Sequence, residues 1–282
     1  MSSYLDFDKP AESYAVMGNP VSHSKSPRIH EEFARQTGKR LVYTAIQVDP
    51  GGFAQAVGNF QSNGGKGLNI TVPFKREAWE LVDDRSARAE IAGSVNTIQF
   101  RPDGRLYGDN TDGAGLVRDL KNNHGYRFAG KRILVVGGGG AVRGIIDTLL
   151  GEDPAELYIA NRTVDKAMAL ADAFARRGPV SGGGYNDLDG MRFDLVINGT
   201  SLSMQNRLPS LPETILAAGG WCYDMMYGDK PTVFVQWGLE CGAQQSLDGL
   251  GMLVEQAAES FNLWHGVMPD TAPVIRMLRK PN

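Results

Sequence analysis

The chain has 282 residues, 42% of them hydrophobic, enough for a substantial core and for two domains. Its 29 Lys and Arg against 32 Asp and Glu leave a formal charge of −3 with the cations dispersed, which argues against a nucleic-acid-binding face and offers nothing to a membrane surface. No apolar run nears the ~20 residues that span a bilayer, Met1 to Pro10 lacks the apolar centre of a secretory signal, and the two separate cysteines, Cys222 and Cys241, suit buried thiols in a reducing cytoplasm.

Tyr14 to Met17 reads as a short strand running into Gly18-Asn19-Pro20 and a serine-rich turn. Ser26 followed by Pro27 reads as an N-cap with proline at the first helical position, opening a helix that stops at Gly38. Hydroxyls at a strand's carboxyl end and a helix N-terminus also suit a small carboxylate, so Ser24 and Ser26 are candidates for one. Leu41 to Val48 alternates as a strand, Gly52 to Phe60 reads as a helix, and Leu68 to Val72 as the next strand. Asn69 and Thr71, two apart, share one face of that strand and need polar partners, in the protein or in a ligand. Pro73 ends it, and Lys75 opens a helix to Val82 at the end of the helix dipole that disfavours a cation.

Ser94 to Phe100 reads as a strand containing Asn96, with Arg105 to Gly108 as its hairpin partner. Asp112 then precedes a helix from about Ala114 to Asn122, either as its N-cap or as a ligand-binding group at a seam between domains. The four histidines show no metal-ligand spacing, and no metal is expected.

Ile133 to Val136 is an uninterrupted apolar run suited to a parallel strand covered on both faces. Gly137, Gly138, Gly139 and Gly140 follow, and Ala141 to Leu150 reads as a helix. Small residues at a strand-to-helix turn let the backbone approach a pyrophosphate, whose charge meets unpaired N–H groups and the helix dipole. No register gives a strict GxGxxG, and a tight turn that binds nothing is the alternative. Leu157 to Ala160 is the next strand, ending at Asn161-Arg162-Thr163 without a carboxylate for a ribose 2′-hydroxyl. Arg162 offers a planar fork for a 2′-phosphate, with Lys166 beyond it, so the pattern favours NADP over NAD; a solvated helix start is the alternative.

Val164 to Arg177 reads as a helix, Gly182 to Gly184 as a loop, and Phe193 to Asn198 and Trp221 to Met225 as strands. Alternating strands and helices make a doubly wound parallel sheet whose carboxyl edge collects Gly137, Asn161, Thr200 and Met225. Gly249 precedes a helix to about His265, in which Gln256 is polar among apolar neighbours, and Asp270-Thr271 caps the last helix.

Six stretches together resemble the shikimate dehydrogenase family over nearly the whole chain: GNPVSHSKSP from Gly18, GLNITVPFK from Gly67, GSVNT from Gly93, GDNTDG from Gly108, GGGGAVRG from Gly137 with Asn161 to Thr163, and DGLGMLVEQAA from Asp248. The glycine loop departs from the family's usual pattern in carrying Gly138 where alanine is common. The resemblance implies an α/β fold with an N-terminal substrate domain over 1–112, completed by helices in 249–282, and a Rossmann-type NADP domain over 113–248. It implies reversible NADPH-dependent reduction of 3-dehydroshikimate to shikimate on the route to aromatic amino acids. Ser24, Ser26, Thr71 and Tyr227 would receive the substrate carboxylate; Asn69, Asn96, Asp112 and Gln256 would meet its ring hydroxyls; Lys75 and Asp112 would form the catalytic pair. The glycine loop through Ala141, with Asn161, Arg162, Thr163, Lys166, Thr200, Met225 and Gly249, would hold NADP(H). The expected partner is the small-molecule substrate, with neither nucleic acid nor membrane, in a monomer or homodimer. Relatives that accept quinate or NAD are the nearest alternative, and a non-catalytic NADPH-binding sensor is a more distant one, disfavoured by the presence of both Lys75 and Asp112. A methylenetetrahydrofolate dehydrogenase would need an aromatic-lined pterin slot that no stretch supplies.

Overall fold

The structure, a computed structural model, describes residues 10–279; the reading of the first nine as no secretory signal lies outside them. The chain forms two compact units. The first takes the described residues up to Glu90 with 94–111 and 257–274, and the second takes 91–93, 112–256 and the described residues from Ile275. The expected division sends all of 249–282 to the first domain, whereas 249–256 and the described residues from Ile275 cluster with the second unit.

The first unit is built on β1 (Glu12–Gly18), α1 (Ser26–Thr37), β2 (Leu41–Gln47), α2 (Phe53–Ser62), β3 (Gly65–Ile70), α3 (Lys75–Leu81), β4 (Asp84–Arg85), α4 (Ala87–Ala92), β5 (Thr97–Phe100) and β6 (Leu106–Asp109). Its sheet has the order β2-β1-β3-β5-β6-β4. β1 runs parallel to β2 and β3, and β5 antiparallel to β3 and β6. Alternation along the strands explains the two-sided burial. Ala15, Met17, Leu68, Ile70 and Ile98 pack with Phe53, Val57, Phe74 and Ala78, while Tyr14, Val16 and Tyr43 pack in a separate cluster.

The second unit continues with α5 (Asp112–Arg118), β7 (Arg132–Val136), α6 (Gly140–Leu150), β8 (Glu156–Ala160), α7 (Val164–Phe174), β9 (Val180–Gly183), β10 (Phe193–Asn198), β11 (Leu216–Asp224), α8 (Val233–Glu240) and β12 (Gln245–Asp248). α9 (Leu250–His265) and α10 (Ala272–Arg279) each contribute to both units. The second sheet is parallel throughout, in the order β12-β11-β10-β7-β8-β9. Successive strands step from β7 to one side and, from β10, to the other, so the switch point lies between β7 and β10, where such sheets bind their ligands. The apolar run of β7 divides between two cores: Ile133 and Val135 join Ile145, Leu149, Leu157 and Leu195, and Leu134 and Val136 join Tyr158, Val196 and Phe234.

Four expectations change. Gly182 and Gly183 lie in strand β9 rather than a loop. A Cβ at Gly182 would lie 2.7 Å from the Ala167 carbonyl carbon of α7, so only glycine lets helix and strand approach this closely. β3 ends at Ile70, so Thr71 lies just past the strand. Asn96 precedes β5 rather than lying in a strand. β4, α4, α8 and β12 have no counterpart among the elements read from the sequence.

Candidate active site

In the first unit β1, β3 and the start of β5 deliver the candidate polar residues to neighbouring positions. α1 begins at Ser26, with Lys25 as its N-cap and no side-chain cap. Ser26 is therefore not the cap that Ser26-Pro27 suggests; its backbone N–H donates instead to Ser24 Oγ at 3.2 Å. Ser26 is buried and Ser24 half-buried. Although beyond its strand, Thr71 remains tied to β1, its N–H donating to the Met17 carbonyl at 2.9 Å. Lys75 is the first residue of α3, half-buried, and its carbonyl accepts from Val95 N at 2.8 Å. That bond links the Lys75 turn to the segment carrying Asn96.

Asn69 and Asn96 belong to one buried network. Asn69 Oδ1 accepts from the Tyr43 hydroxyl at 2.7 Å, and its Nδ2 donates to Ser260 Oγ at 2.9 Å and Thr97 Oγ1 at 3.2 Å. Asn96 Oδ1 accepts from Thr97 Oγ1 and from Thr111 N, both at 2.9 Å, while its Nδ2 donates to Thr111 Oγ1 at 2.9 Å. Thr97 and Ser260 oxygens are 2.7 Å apart. Buried polar groups so fully matched are rigid, which suits side chains that must present fixed donors and acceptors. Tyr43, Thr97, Thr111 and Ser260 were missed from the sequence. Ser260 was within reach, since it follows Gln256 by four positions on α9 and helical spacing places both on one face.

Beneath this network lies an ion pair. Arg88 Nε donates to Asp109 Oδ1 at 2.7 Å and Nη2 to Oδ2, while Ser86 Oγ and Asn110 N donate to the same carboxylate. Burial pushes the Asp109 carboxyl up, but Arg88, Ser86 and Asn110 outweigh it and hold it below the usual range. The Asp109 carbonyl accepts from Asn96 N at 3.0 Å.

In the second unit Asp112 is the first residue of α5 and buried, inside the helix rather than its N-cap. Gln256 is half-buried, with Nε2 donating to the Leu253 carbonyl at 2.8 Å. Tyr227 is half-buried, and burial raises its phenol.

The glycine turn occupies the switch point of this unit. Gly137 has φ +122, a region that L side chains rarely adopt, and its missing Cβ would lie 3.3 Å from the Gly199 backbone. Its N–H donates to the Ala160 carbonyl at 2.8 Å, and Gly199 N donates to the Val136 carbonyl at 2.8 Å. Gly139 is the N-cap of α6, so the first N–H groups of the helix, from Gly140 and Ala141, lack partners within it. A Cβ on Gly139 or Gly140 would point into open space, whereas one on Gly138 would lie 3.3 Å from the Asn161 side chain. No acidic residue lies in the first turn of α6.

Asn161 Nδ2 donates to the Thr163 carbonyl at 3.0 Å, and Thr163 is the N-cap of α7. Arg162, Thr163 and Lys166 are exposed. Open space over the turn, free helix N–H groups and exposed cations at the end of the next strand fit a dinucleotide with an extra phosphate. Thr200 Oγ1 donates to Asn198 Oδ1 at 2.7 Å, Met225 N to the Asn198 carbonyl at 2.9 Å, and Gly249 N to the Met226 carbonyl at 3.0 Å. Asn198 is fixed in turn by Asp224, which also accepts from Ser203 and Thr232 at 2.7 and 2.6 Å. Burial pushes the Asp224 carboxyl up despite these donors. This support for Thr200 and Met225 was not legible in the sequence.

Cys222 is buried, but Cys241 is only partly so, against the expectation of two buried thiols; both are free. Among the described residues no helix is long and apolar enough to cross a membrane, and no group of His, Cys, Asp and Glu could hold a metal ion.

Three family models match the chain: a shikimate dehydrogenase substrate-binding domain over 16–98, a shikimate/quinate 5-dehydrogenase over 119–204, and a shikimate 5′-dehydrogenase C-terminal domain over 249–279. The shikimate dehydrogenase (NADP(+)) of Nitrosococcus oceani is 56% identical over 269 residues, 95% of each chain. The structure of an Ael1 enzyme from Pseudomonas putida superposes with a TM-score of 0.89 at 43% identity, covering 96% of this chain and 99% of the other. That of a shikimate 5-dehydrogenase from Thermus thermophilus, in complex with NADP(H) and shikimate, gives 0.85 at 30% identity, covering 95% and 98%.

Proposed function

This chain belongs to the shikimate dehydrogenase family, and we propose that Lys75 and Asp112 are the pair that handles the proton at the substrate carbonyl. The protein is an NADP-dependent oxidoreductase acting on a CH–OH group, and its reaction is the reversible reduction of 3-dehydroshikimate to shikimate on the route to aromatic amino acids. The observation that carries the residue assignment is the buried Asn69–Asn96 network, built to hold hydrogen-bonding groups in fixed directions around the turn that bears Lys75.

The residues of the glycine turn, from Gly137 through Ala141, would hold the cofactor's pyrophosphate against the first N–H groups of α6, Arg162 and Lys166 its 2′-phosphate, and Asn161, Thr163, Thr200, Met225 and Gly249 the remainder. When bound, NADPH supplies the hydride. Charge then grows on the ketone oxygen, and a positioned donor there lowers the barrier. Lys75 donates a hydrogen bond to that oxygen and delivers the proton as general acid, taking it back in the oxidation. Asp112 meets the adjacent hydroxyl and holds the lysine–substrate pair in line. Ser24, Ser26, Thr71 and Tyr227 bind the carboxylate, and Asn69, Asn96 and Gln256 the ring hydroxyls. We also assign the protein to the cytoplasm as a monomer or homodimer that engages neither nucleic acid nor membrane; its dispersed charge and separate thiols support this.

Initial rates at 340 nm with shikimate or quinate, each with NADP+ or NAD+, test the reading. Strong turnover with shikimate and NADP+ alone is expected. No turnover with any pair, in protein that still binds NADPH, would overturn the catalytic assignment.

A further inference from the structure

β2 supplies no residue to the site proposed above, yet Tyr43 near its centre bonds to one of that site's side chains and faces a second. Its hydroxyl donates to Asn69 Oδ1 at 2.7 Å within the buried interior. We propose that Tyr43 is a positioning residue for substrate binding, its hydroxyl anchoring the Oδ1 end of the Asn69 amide. This rests on the reading of Asn69 as a substrate contact.

An asparagine amide has an acceptor end and a donor end on a broad, nearly two-fold torsion. Its orientation is defined only by partners that one end alone can satisfy. Thr97 Oγ1 gives its one proton to Asn96 Oδ1 and so accepts from the Asn69 Nδ2 end, at 3.2 Å, whereas the Ser260 hydroxyl at 2.9 Å tolerates either end. The Asn96 carbonyl accepts only, but at 3.3 Å it is distant. Tyr43 makes the shortest of the four bonds. It is also the bond made to the Oδ1 end, and Ser26 hydrogen-bonds to the same hydroxyl.

The ring is fixed independently of its hydroxyl. It stacks on His30 with centroids 4.2 Å apart and planes at 4°, and β2 pairs it in register with Tyr14 of β1. His30 is fully buried, and burial holds it down to about 3, so it is a neutral platform. Tyr43→Phe therefore removes one hydroxyl and leaves the ring stack in place.

The test is a double-mutant cycle read in steady-state kinetics with shikimate and NADP+. Tyr43→Phe is expected to raise the shikimate KM about tenfold, the worth of one buried hydrogen bond, with kcat within about twofold and the NADP+ KM unchanged. Asn69→Ala raises the shikimate KM at least as far, and the double variant no further than Asn69→Ala, because no amide remains to orient. The unchanged NADP+ KM reports an intact fold in each variant, and Asn69→Ser replaces Asn69→Ala if the latter does not fold. A raised KM in the Asn69 variant with an unchanged one in Tyr43→Phe overturns the positioning role alone. Additive effects in the double variant overturn it too, since Tyr43 then acts by another route. An unchanged KM in the Asn69 variant overturns the reading of Asn69 as a contact, and the proposal with it.

Discussion

Arg88→Met leaves the Asp109 carboxylate buried with only Ser86 and Asn110 N as donors. Removing one partner of a fully buried pair costs about 3–5 kcal/mol, whereas an exposed pair is worth at most ~1 kcal/mol. The Arg88 side chain is 32% exposed and that of Asp109 6%. Water therefore reaches one partner and not the other, and the expected loss is ~2–3 kcal/mol, a fall of about 1 M in the urea midpoint. The sign with pH follows from the depressed Asp109 carboxyl: its contribution is complete above the unfolded value of about 3.9 and is lost as the pH falls through the folded one. Urea titrations of both proteins at neutral pH and in acid read this directly. The gap is expected to be full at pH 7 and to narrow on acidification. Equal midpoints at pH 7, or a gap undiminished in acid, would refute the reasoning.

Arg162→Asp is expected to weaken NADPH binding by about 1.5–3 kcal/mol, the worth of a charged hydrogen bond, and to narrow the preference over NADH; an unchanged NADPH KM would place the 2′-phosphate elsewhere. Thiol labelling of the folded protein should modify Cys241 and spare Cys222, whose thiol burial pushes up to about 12; mass mapping of label on Cys222 before unfolding would contradict its burial. Phe174→Ala, in the core over which α7 packs, should cost about 3–5 kcal/mol, and a loss under 1 kcal/mol by urea titration would show a looser core.

Much of the fold was legible because the central strands carry their burial in their own residues. β7 and β8 are covered on both faces and carry the unbroken apolar runs Ile133–Val136 and Leu157–Ala160, and β10 carries the shorter Leu195–Ile197 between Asp194 and Asn198. β9 and β12 lie at the edges, and their sequences, VSGG and QSLD, hold no such run; tertiary packing against α7 and α8 makes them strands. The site divides in the same way. Residues beside turns, such as Lys75, Asp112 and the glycines, stand out because their local setting is unusual for their type. Tyr43, Thr97 and Ser260 look like ordinary strand and helix residues, and only their meeting across long sequence separations reveals them. The Ser26 reading failed for a local reason: the helix starts one residue earlier than the serine-proline pair suggests.

The most direct measurement of the central claim is steady-state kinetics of Lys75→Ala with shikimate and NADP+, alongside NADPH binding to the same protein. The account predicts kcat lower by roughly 10²–10⁴, with the shikimate KM within a few-fold and NADPH binding intact. Near-normal turnover would remove Lys75 from proton transfer and contradict the account.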